Sequence, residues 1–346
     1  MKIKMLAAER EFSCLMGECP DSCCRGWAVV IDDETAAKYR ETDGEPWREI
    51  RKTLSADESG NPCFVMKESG ACPHLCQDGL CGIIKSAGEG AIPDICDRHP
   101  RYYNLFDTVK EGGLGLSCPA VVSLLLKKPL DELMKAEEIE KPRIKEREIG
   151  LSMYSPECDE KILELRDKLF GELRGEKTFF EILPLVAAVG DKVIHASDLC
   201  DDFELVFYDN SLANFENRVE PATLAEVASD AFSSIEYRSP ALEEQAEYVN
   251  KNLQKILSSL ESSASPELDC IGKKALFCFL HRYMLAGLSD ATVGGRIILS
   301  VLLALMLVTL LSTTDDRQGV ICSFSASVEY SEENIDRILD LIYEQL

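Results

Sequence analysis

Apolar residues recur at helical spacing through most of the chain after residue 150 and lose any regular period before residue 120. Leu163, Leu165, Leu169 and Leu173 lie among Glu, Arg and Lys, and Phe179, Ile182, Leu183, Leu185 and Val186 follow. Residues 241–260 and 274–288 repeat the pattern, which predicts amphipathic helices. Ser331 is a good N-cap for a last helix with Ile335, Ile338, Leu339 and Ile342 on one face. Ile297 to Leu311 is apolar throughout its fifteen residues. A membrane span needs about 20 residues, so the stretch is read as a buried core helix, with a membrane anchor as the competing reading.

The first 120 residues read differently. Trp27 to Ile31 is a short strand or an apolar plug. The acidic start at Asp32, Asp33 and Glu34 opens a helix carrying Ala36 and Tyr39. Residues 55–62 form a turn, and from Pro62 to Pro100 no period of 3.6 or 2 is sustained. A segment without a wide apolar face is expected to be organised by ligation. A helix begins after Cys118 at Pro119. Lys127 to Ile149 is charged and holds Pro129 and Pro142. These features divide the chain into a cysteine-rich domain at 1–126, a charged linker at 127–150 and a helical domain at 151–346. The expected fold is mainly α, an irregular cysteine-rich domain followed by an all-helical one.

At 46% hydrophobic and 28% charged residues over 346 positions, the chain has the composition of a folded globular protein. Its formal net charge of −24 speaks against nucleic acid and anionic lipid as partners, since both require a basic footprint. The N-terminus shows no apolar run of leader length, so a cytoplasmic, reducing setting is expected, where disulfides are disfavoured.

Ten of the fifteen cysteines lie within residues 1–118, at positions 14, 19, 23, 24, 63, 72, 76, 81, 96 and 118. Thiolates two to four residues apart can bend round one centre, and two such groups joined by a long loop close a site. Cys76 and Cys63 are the expected passengers, leaving Cys14, Cys19, Cys23, Cys24, Cys72, Cys81, Cys96 and Cys118 as candidate ligands. No Cys-x2-Cys knuckle of the zinc-ribbon kind occurs in this stretch, and no Cys-x3-Cys-x2-Cys of the radical-enzyme kind. Eight donors exceed the need of one tetrahedral zinc. The chemistry leans to a [4Fe-4S] cluster and keeps zinc as the alternative.

The run Phe12-Ser13-Cys14, Gly17, Cys19, Ser22-Cys23-Cys24, Gly26-Trp27 resembles the opening of the flagellin lysine-N-methylase (FliB) family. Val29, Ile31-Asp32, Thr35 and Tyr39 continue it in register. Cys72-Pro73, Leu80-Cys81, Cys96, Pro100-Arg101 and Leu116 to Pro119 match its later cysteine stations. Phe324-Ser325, Val328-Glu329 and Ser331 to Asn334 match its closing motif. His99, Ser327 and Tyr330 depart from the pattern, and Cys76 is an extra cysteine. A shorter form of the pattern is shared with small zinc- or iron-chelating domains. The resemblance implies methyl transfer from S-adenosylmethionine to lysine side chains of flagellin, or of another lysine-rich protein, by an enzyme carrying a [4Fe-4S] cluster. A non-catalytic metal module, a cluster carrier or redox sensor, is the alternative.

Several residues then acquire candidate roles. Arg98 and Arg101 suit the carboxylate of the methyl donor, or Arg101 pins a loop through carbonyls. Trp27 shields the centre or packs in a core. Asp32 deprotonates a substrate lysine or caps a helix. Glu329 and Tyr330 approach the active site on the strength of the resemblance. His99 and His74 are weaker ligand candidates, and His195 and His281 are read as structural. Gly112 to Gly115 is a nucleotide-binding loop or a turn.

Overall fold

The computed structural model describes residues 2–57, 59–140, 148–196, 219–263 and 265–346. These fall into two compact units. One comprises 12–101 with 118–120; the other comprises 2–11, 102–117 and the described residues from 121 onward. Of the charged stretch expected as a linker, Leu130–Leu133 is helical and Ala136–Ile139 is a strand, and 141–147 lie outside the described residues.

The larger unit is mainly helical. Strands β1 (Ile3–Leu6), β2 (Leu54–Ala56), β3 (Pro62–Phe64), β4 (Arg101–Leu105), β5 (Lys110–Leu114) and β6 (Ala136–Ile139) run along the chain, and β4, β5, β1 and β6 form one four-stranded sheet in that order. All four strands lie before residue 140, in the stretches expected as the cysteine-rich domain and the linker, and the described elements from 151 onward are helices. Strand β1 pairs in parallel with β5, Lys4 opposite Glu111, and antiparallel with β6, Met5 opposite Glu137. The cause is period-2 burial in β1, where Ile3 and Met5 are buried and Lys4 is exposed. Four residues are too few for that alternation to stand out. Gly112 and Gly113 sit inside β5, so the glycine run is neither a loop nor a turn.

The helices follow the apolar periodicity. Ser155 caps Pro156–Arg174, Thr178 and Glu181 form a capping box on Phe179–His195, and Ser331 caps Glu332–Gln345. The 241–260 pattern is two helices, Pro240–Lys251 and Leu253–Ser263, broken at Asn252. Val293–Leu311 is buried on every side and packs on Phe179–His195 and Pro266–Tyr283, as a core helix does. Gly190 and Gly294 let two helix backbones meet: a Cβ on Gly190 would stand 2.8 Å from the Gly294 carbonyl oxygen.

The cysteine-rich unit has an apolar core of its own. Val29, Ile31, Tyr39, Ile50, Phe64 and Ile83 are buried together, with Cys72 among them. Helix Asp33–Glu41 is capped by Asp32, whose Oδ1 accepts from Thr35 N at 3.0 Å. The fully buried Tyr39 hydroxyl donates to the Ala91 carbonyl at 2.5 Å. Trp27 to Ile31 is not a strand; Val30 makes one isolated bridge to Cys63 on the β2–β3 hairpin.

Candidate functional site

Short backbone pairings gather the thiols of the cysteine-rich unit. Cys72 N donates to the Cys24 carbonyl at 2.8 Å, and Gly26 N to the Gly70 carbonyl at 3.0 Å, which sets residues 24–26 beside 70–72. Residues 74–82 then fold back: Cys76 N bonds Leu80 O at 3.0 Å and Gly82 N bonds His74 O at 2.7 Å, returning Cys81 to Cys72. Cys96 arrives on the short helix Asp94–Arg98, whose first amide is fixed by Asp32 Oδ2 at 2.9 Å. The loop bearing Cys14 and Cys19 is pressed against the 78–80 turn. A Cβ on Gly79, which has φ +77°, would lie 2.9 Å from Gly17 Cα, so both positions need glycine.

None of the ten cysteines of this region is in a disulfide. Cys24, Cys72, Cys81 and Cys96 form a quartet in which every pair lies within electrostatic reach. Cys23 donates a hydrogen bond to Cys24, which lowers the Cys24 thiol to about 6 and drives Cys23 far up; the two share one readily lost proton. Burial, then neighbouring thiols, push Cys96 up and Cys72 to about 11. Tyr39 lies beside Cys96, Cys81 and Cys72, and its phenol is raised by burial first and these charges second. Among the described residues, no three His, Cys, Asp or Glu side chains are spaced to hold a single metal ion. Cys118 is buried at the head of helix Pro119–Lys127, Cys63 is buried on β3, and Cys76 neighbours Cys81.

The other candidates of this unit are placed as follows. Both oxygens of Asp32 accept backbone amides, from Thr35 and Asp94, so its carboxylate ties a helix start to the Cys96 helix. Arg98 pairs with Asp94 at 3.3 Å. The Arg101 guanidinium lies 5.2 Å from the Phe12 ring centroid, and Trp27 lies 5.9 Å from the His99 ring. His74 Nε2 is 2.8 Å from the Thr53 hydroxyl, and burial lowers its imidazole to about 4.

Comparison with known proteins adds a family. No family model matches the chain, and no solved structure matches. The flagellar biosynthetic protein FliU of Salmonella muenchen is 31% identical over 123 residues, 34% of this chain and 73% of that protein. The chain belongs to the flagellin lysine-N-methylase family. Two proteins named lysine-N-methylase, from Salmonella typhimurium LT2 and Salmonella choleraesuis SC-B67, are also 31% identical over 123 residues. Those 123 residues are 31% of their length, so the chain is matched to less than a third of each.

The segment read as a closing motif lies in the helical unit, at the end of helix Arg317–Glu329. Glu329 Oε1 accepts the Leu116 amide at 3.0 Å, and Arg282 Nη1 is 3.3 Å from Oε2. Arg282 also donates to the Glu329 carbonyl at 2.9 Å, and its guanidinium lies against the rings of Tyr102, Tyr283 and Tyr330 at 4.8, 5.6 and 5.7 Å. Burial raises the Glu329 carboxyl, opposed by Arg282 and the amides of Leu116 and Ser117. The Tyr283 hydroxyl and the Ser117 and Ser325 hydroxyls are buried with no hydrogen-bond partner.

Sequence reasoning missed a polar chain that adjoins this group. The Tyr102 hydroxyl is 2.8 Å from His281 Nδ1, His281 Nε2 is 3.6 Å from Glu111, and Arg166 bonds the same Glu111 oxygen. Burial lowers the His281 imidazole to about 4, so it is neutral at pH 7. Glu111 stands on a strand and His281 and Arg166 on separate helices, so no spacing in the sequence links them.

Proposed function

We propose that the chain is a protein-lysine N-methyltransferase that moves a methyl group from S-adenosylmethionine to lysine side chains of flagellin and carries a [4Fe-4S] cluster on its thiol quartet. The observation that carries the reading is the match to FliU and to two lysine-N-methylases, joined to a thiol quartet built within the cysteine-rich unit. The donor set fits a cluster in number: four thiols in mutual electrostatic reach meet the usual four-cysteine requirement.

Cys24, Cys72, Cys81 and Cys96 would hold the cluster; four cysteine ligands leave no iron open, so the methyl donor would be held by the chain's own residues. The remaining work falls to the chain. A lysine ammonium has no lone pair, so the substrate amine must be deprotonated and held in line with the methyl carbon. Arg98 and Arg101, three residues apart next to Cys96, suit the donor's carboxylate. Asp32, with both oxygens engaged by amides, holds the Cys96 helix in place. Glu329 and Arg282 fix the Leu116 amide and a tyrosine-lined polar group in the helical unit. A net charge of −24 favours encounter with a lysine-rich surface.

The test is anaerobic purification, iron and sulfide analysis, and incubation with labelled S-adenosylmethionine and flagellin. Label on flagellin lysines supports the reading; iron-loaded protein that labels neither flagellin nor another lysine-rich protein overturns the transferase assignment.

A further inference from the structure

The glycine pair of β5 is a bed for an aromatic side chain. A Cβ on Gly113 would stand 2.6 Å from the Tyr102 hydroxyl oxygen and 2.8 Å from its Cζ. A Cβ on Gly112 would stand 2.5 Å from the Tyr102 carbonyl oxygen and 2.8 Å from Tyr103 Cδ1. Glycine in a strand lets another group approach the backbone closely, so the Tyr102 phenol rests on β5. From there it reaches two neighbours on helix Pro266–Tyr283. Its hydroxyl is 2.8 Å from His281 Nδ1, and its ring centroid is 4.8 Å from the Arg282 guanidinium carbon. With the imidazole neutral, an N–H on Nε2 faces the Glu111 carboxylate and Nδ1 accepts from the phenol. Asn104, two residues along β4 and on the same side as Tyr102, donates to the carbonyls of His281 and Arg282 at 3.2 and 3.3 Å. Carbonyls in the last turn of a helix lack intrahelical partners, so these bonds fix β4 against the end of that helix. The bed, the hydroxyl bond and the Asn104 bonds together hold the Tyr102 ring in place.

We propose that Tyr102 is a positioning residue: it sets the Arg282 guanidinium and, through Arg282, the Glu329 carboxylate. An arginine side chain has many rotamers, and a ring held 4.8 Å from the guanidinium narrows them. The rings of Tyr283 and Tyr330 lie further off, at 5.6 and 5.7 Å. Tyr283 shares a helix with Arg282 and Tyr330 follows Glu329, whereas Tyr102 brings in the sheet as a fixed reference. So held, Arg282 lies 3.3 Å from Glu329 Oε2 and donates to the Glu329 carbonyl at 2.9 Å, while Glu329 Oε1 accepts the Leu116 amide. Glu329 faces Arg282, Tyr283 and Cys278 of that helix, Tyr102 of β4 and the amides of Leu116 and Ser117; the positive charge among these is that of Arg282. The seat of the guanidinium therefore governs how readily the buried carboxyl ionises. Under the transferase reading above, on which the catalytic meaning rests, Glu329 and Tyr330 are the active-site candidates of this unit, and Tyr102 acts on them through Arg282.

The experiment is an infrared titration of the full chain that follows the carboxylic-acid band removed by Glu329→Gln. Tyr102→Leu loses both ring and hydroxyl. It is expected to move the Glu329 midpoint up by about one pH unit, a tenfold change in proton affinity. Tyr102→Phe keeps the ring and loses the bond to His281, so a smaller upward shift is expected, a partial rescue. Gly113→Ala puts a methyl group into the bed and is expected to shift the midpoint upward as well. Gly150→Ala, whose new Cβ would have its nearest atom at 3.6 Å, is expected to titrate as wild type. A folded Tyr102→Leu protein with the wild-type midpoint, whatever its unfolding temperature, overturns the proposal. If that variant does not fold, Tyr102→Phe and Gly113→Ala are judged by the same rule. In labelled methyl transfer to flagellin, Tyr102→Phe is expected to lower kcat several-fold at unchanged KM; an unchanged kcat overturns the catalytic meaning. Wild-type protein that labels nothing removes the transferase reading, a separate result, and the infrared titration still decides whether Tyr102 positions Arg282 and Glu329.

Discussion

The two units of this protein solve the same physical problem with different materials. The helical unit surrounds Val293–Leu311, and its core is mainly leucine, valine, isoleucine, alanine and phenylalanine. The cysteine-rich unit buries a modest set round Tyr39 and Phe64 and devotes much of its remaining interior to thiols. Apolar side chains stabilise wherever they are covered, whereas burial opposes ionisation of a thiol and keeps it protonated. The contrast is between an interior of apolar packing and one in which apolar packing is shared with thiols.

The largest expected effect breaks the contrast at the thiols. Cys24→Ser or Cys96→Ser should abolish iron retention and lower the unfolding temperature of the cysteine-rich unit. Hydrogen exchange should quicken within residues 12–101 and stay unchanged in Val293–Leu311. Full iron in both variants would mean that the quartet is misassigned.

Phe279 is fully buried in the helical unit. Phe279→Ala should cost about 3–5 kcal/mol in urea unfolding through lost transfer energy and a cavity, with iron content unaltered.

A smaller effect comes from acid. The unfolded His281 imidazole binds its proton near 6.5, and the folded one only near 4, because it is buried. Between those values the unfolded state holds more protons, so stability is lost as pH falls from about 6.5 to 4, by about 3 kcal/mol at most. Glu111 acts in the same sense. Burial disfavours its charge, but His281 and Arg166 keep its carboxyl below the ordinary range. Glu329, raised by burial, acts in the opposite sense. His281→Phe should flatten the pH dependence in that window; an unchanged profile of unfolding free energy against pH would exclude His281 as its source.

The smallest effect sharpens the comparison at a joint. Asp32→Ala removes a helix cap and the acceptor of the Asp94 amide. It should cost about 1–2 kcal/mol and slow iron loading through Cys96, read by differential calorimetry and by iron uptake. Asp32→Asn, which keeps both acceptor positions only in part, should fall between the two.

Much of the helical unit could be read directly from the chain. Ser331 with Ile335, Ile338, Leu339 and Ile342, and the apolar run from Ile297 to Leu311, specify their own burial, because 3.6-residue periodicity puts them on one face or on all faces. Soft donors crowded before residue 120 likewise announced a sulfur-rich site. Tertiary structure decided what periodicity cannot encode. Strand β1 is four residues long, and it pairs with strands more than a hundred positions away. Which thiols meet depends on the pairing of 24–26 with 70–72 and on the turn at 74–82. The Glu111–His281–Tyr102 chain exists because a strand and a helix place distant residues side by side. Local spacing fixes which way a side chain faces on its own element. Only packing of separate elements fixes what it meets, since that depends on backbone hydrogen bonds and close contacts between segments remote in sequence.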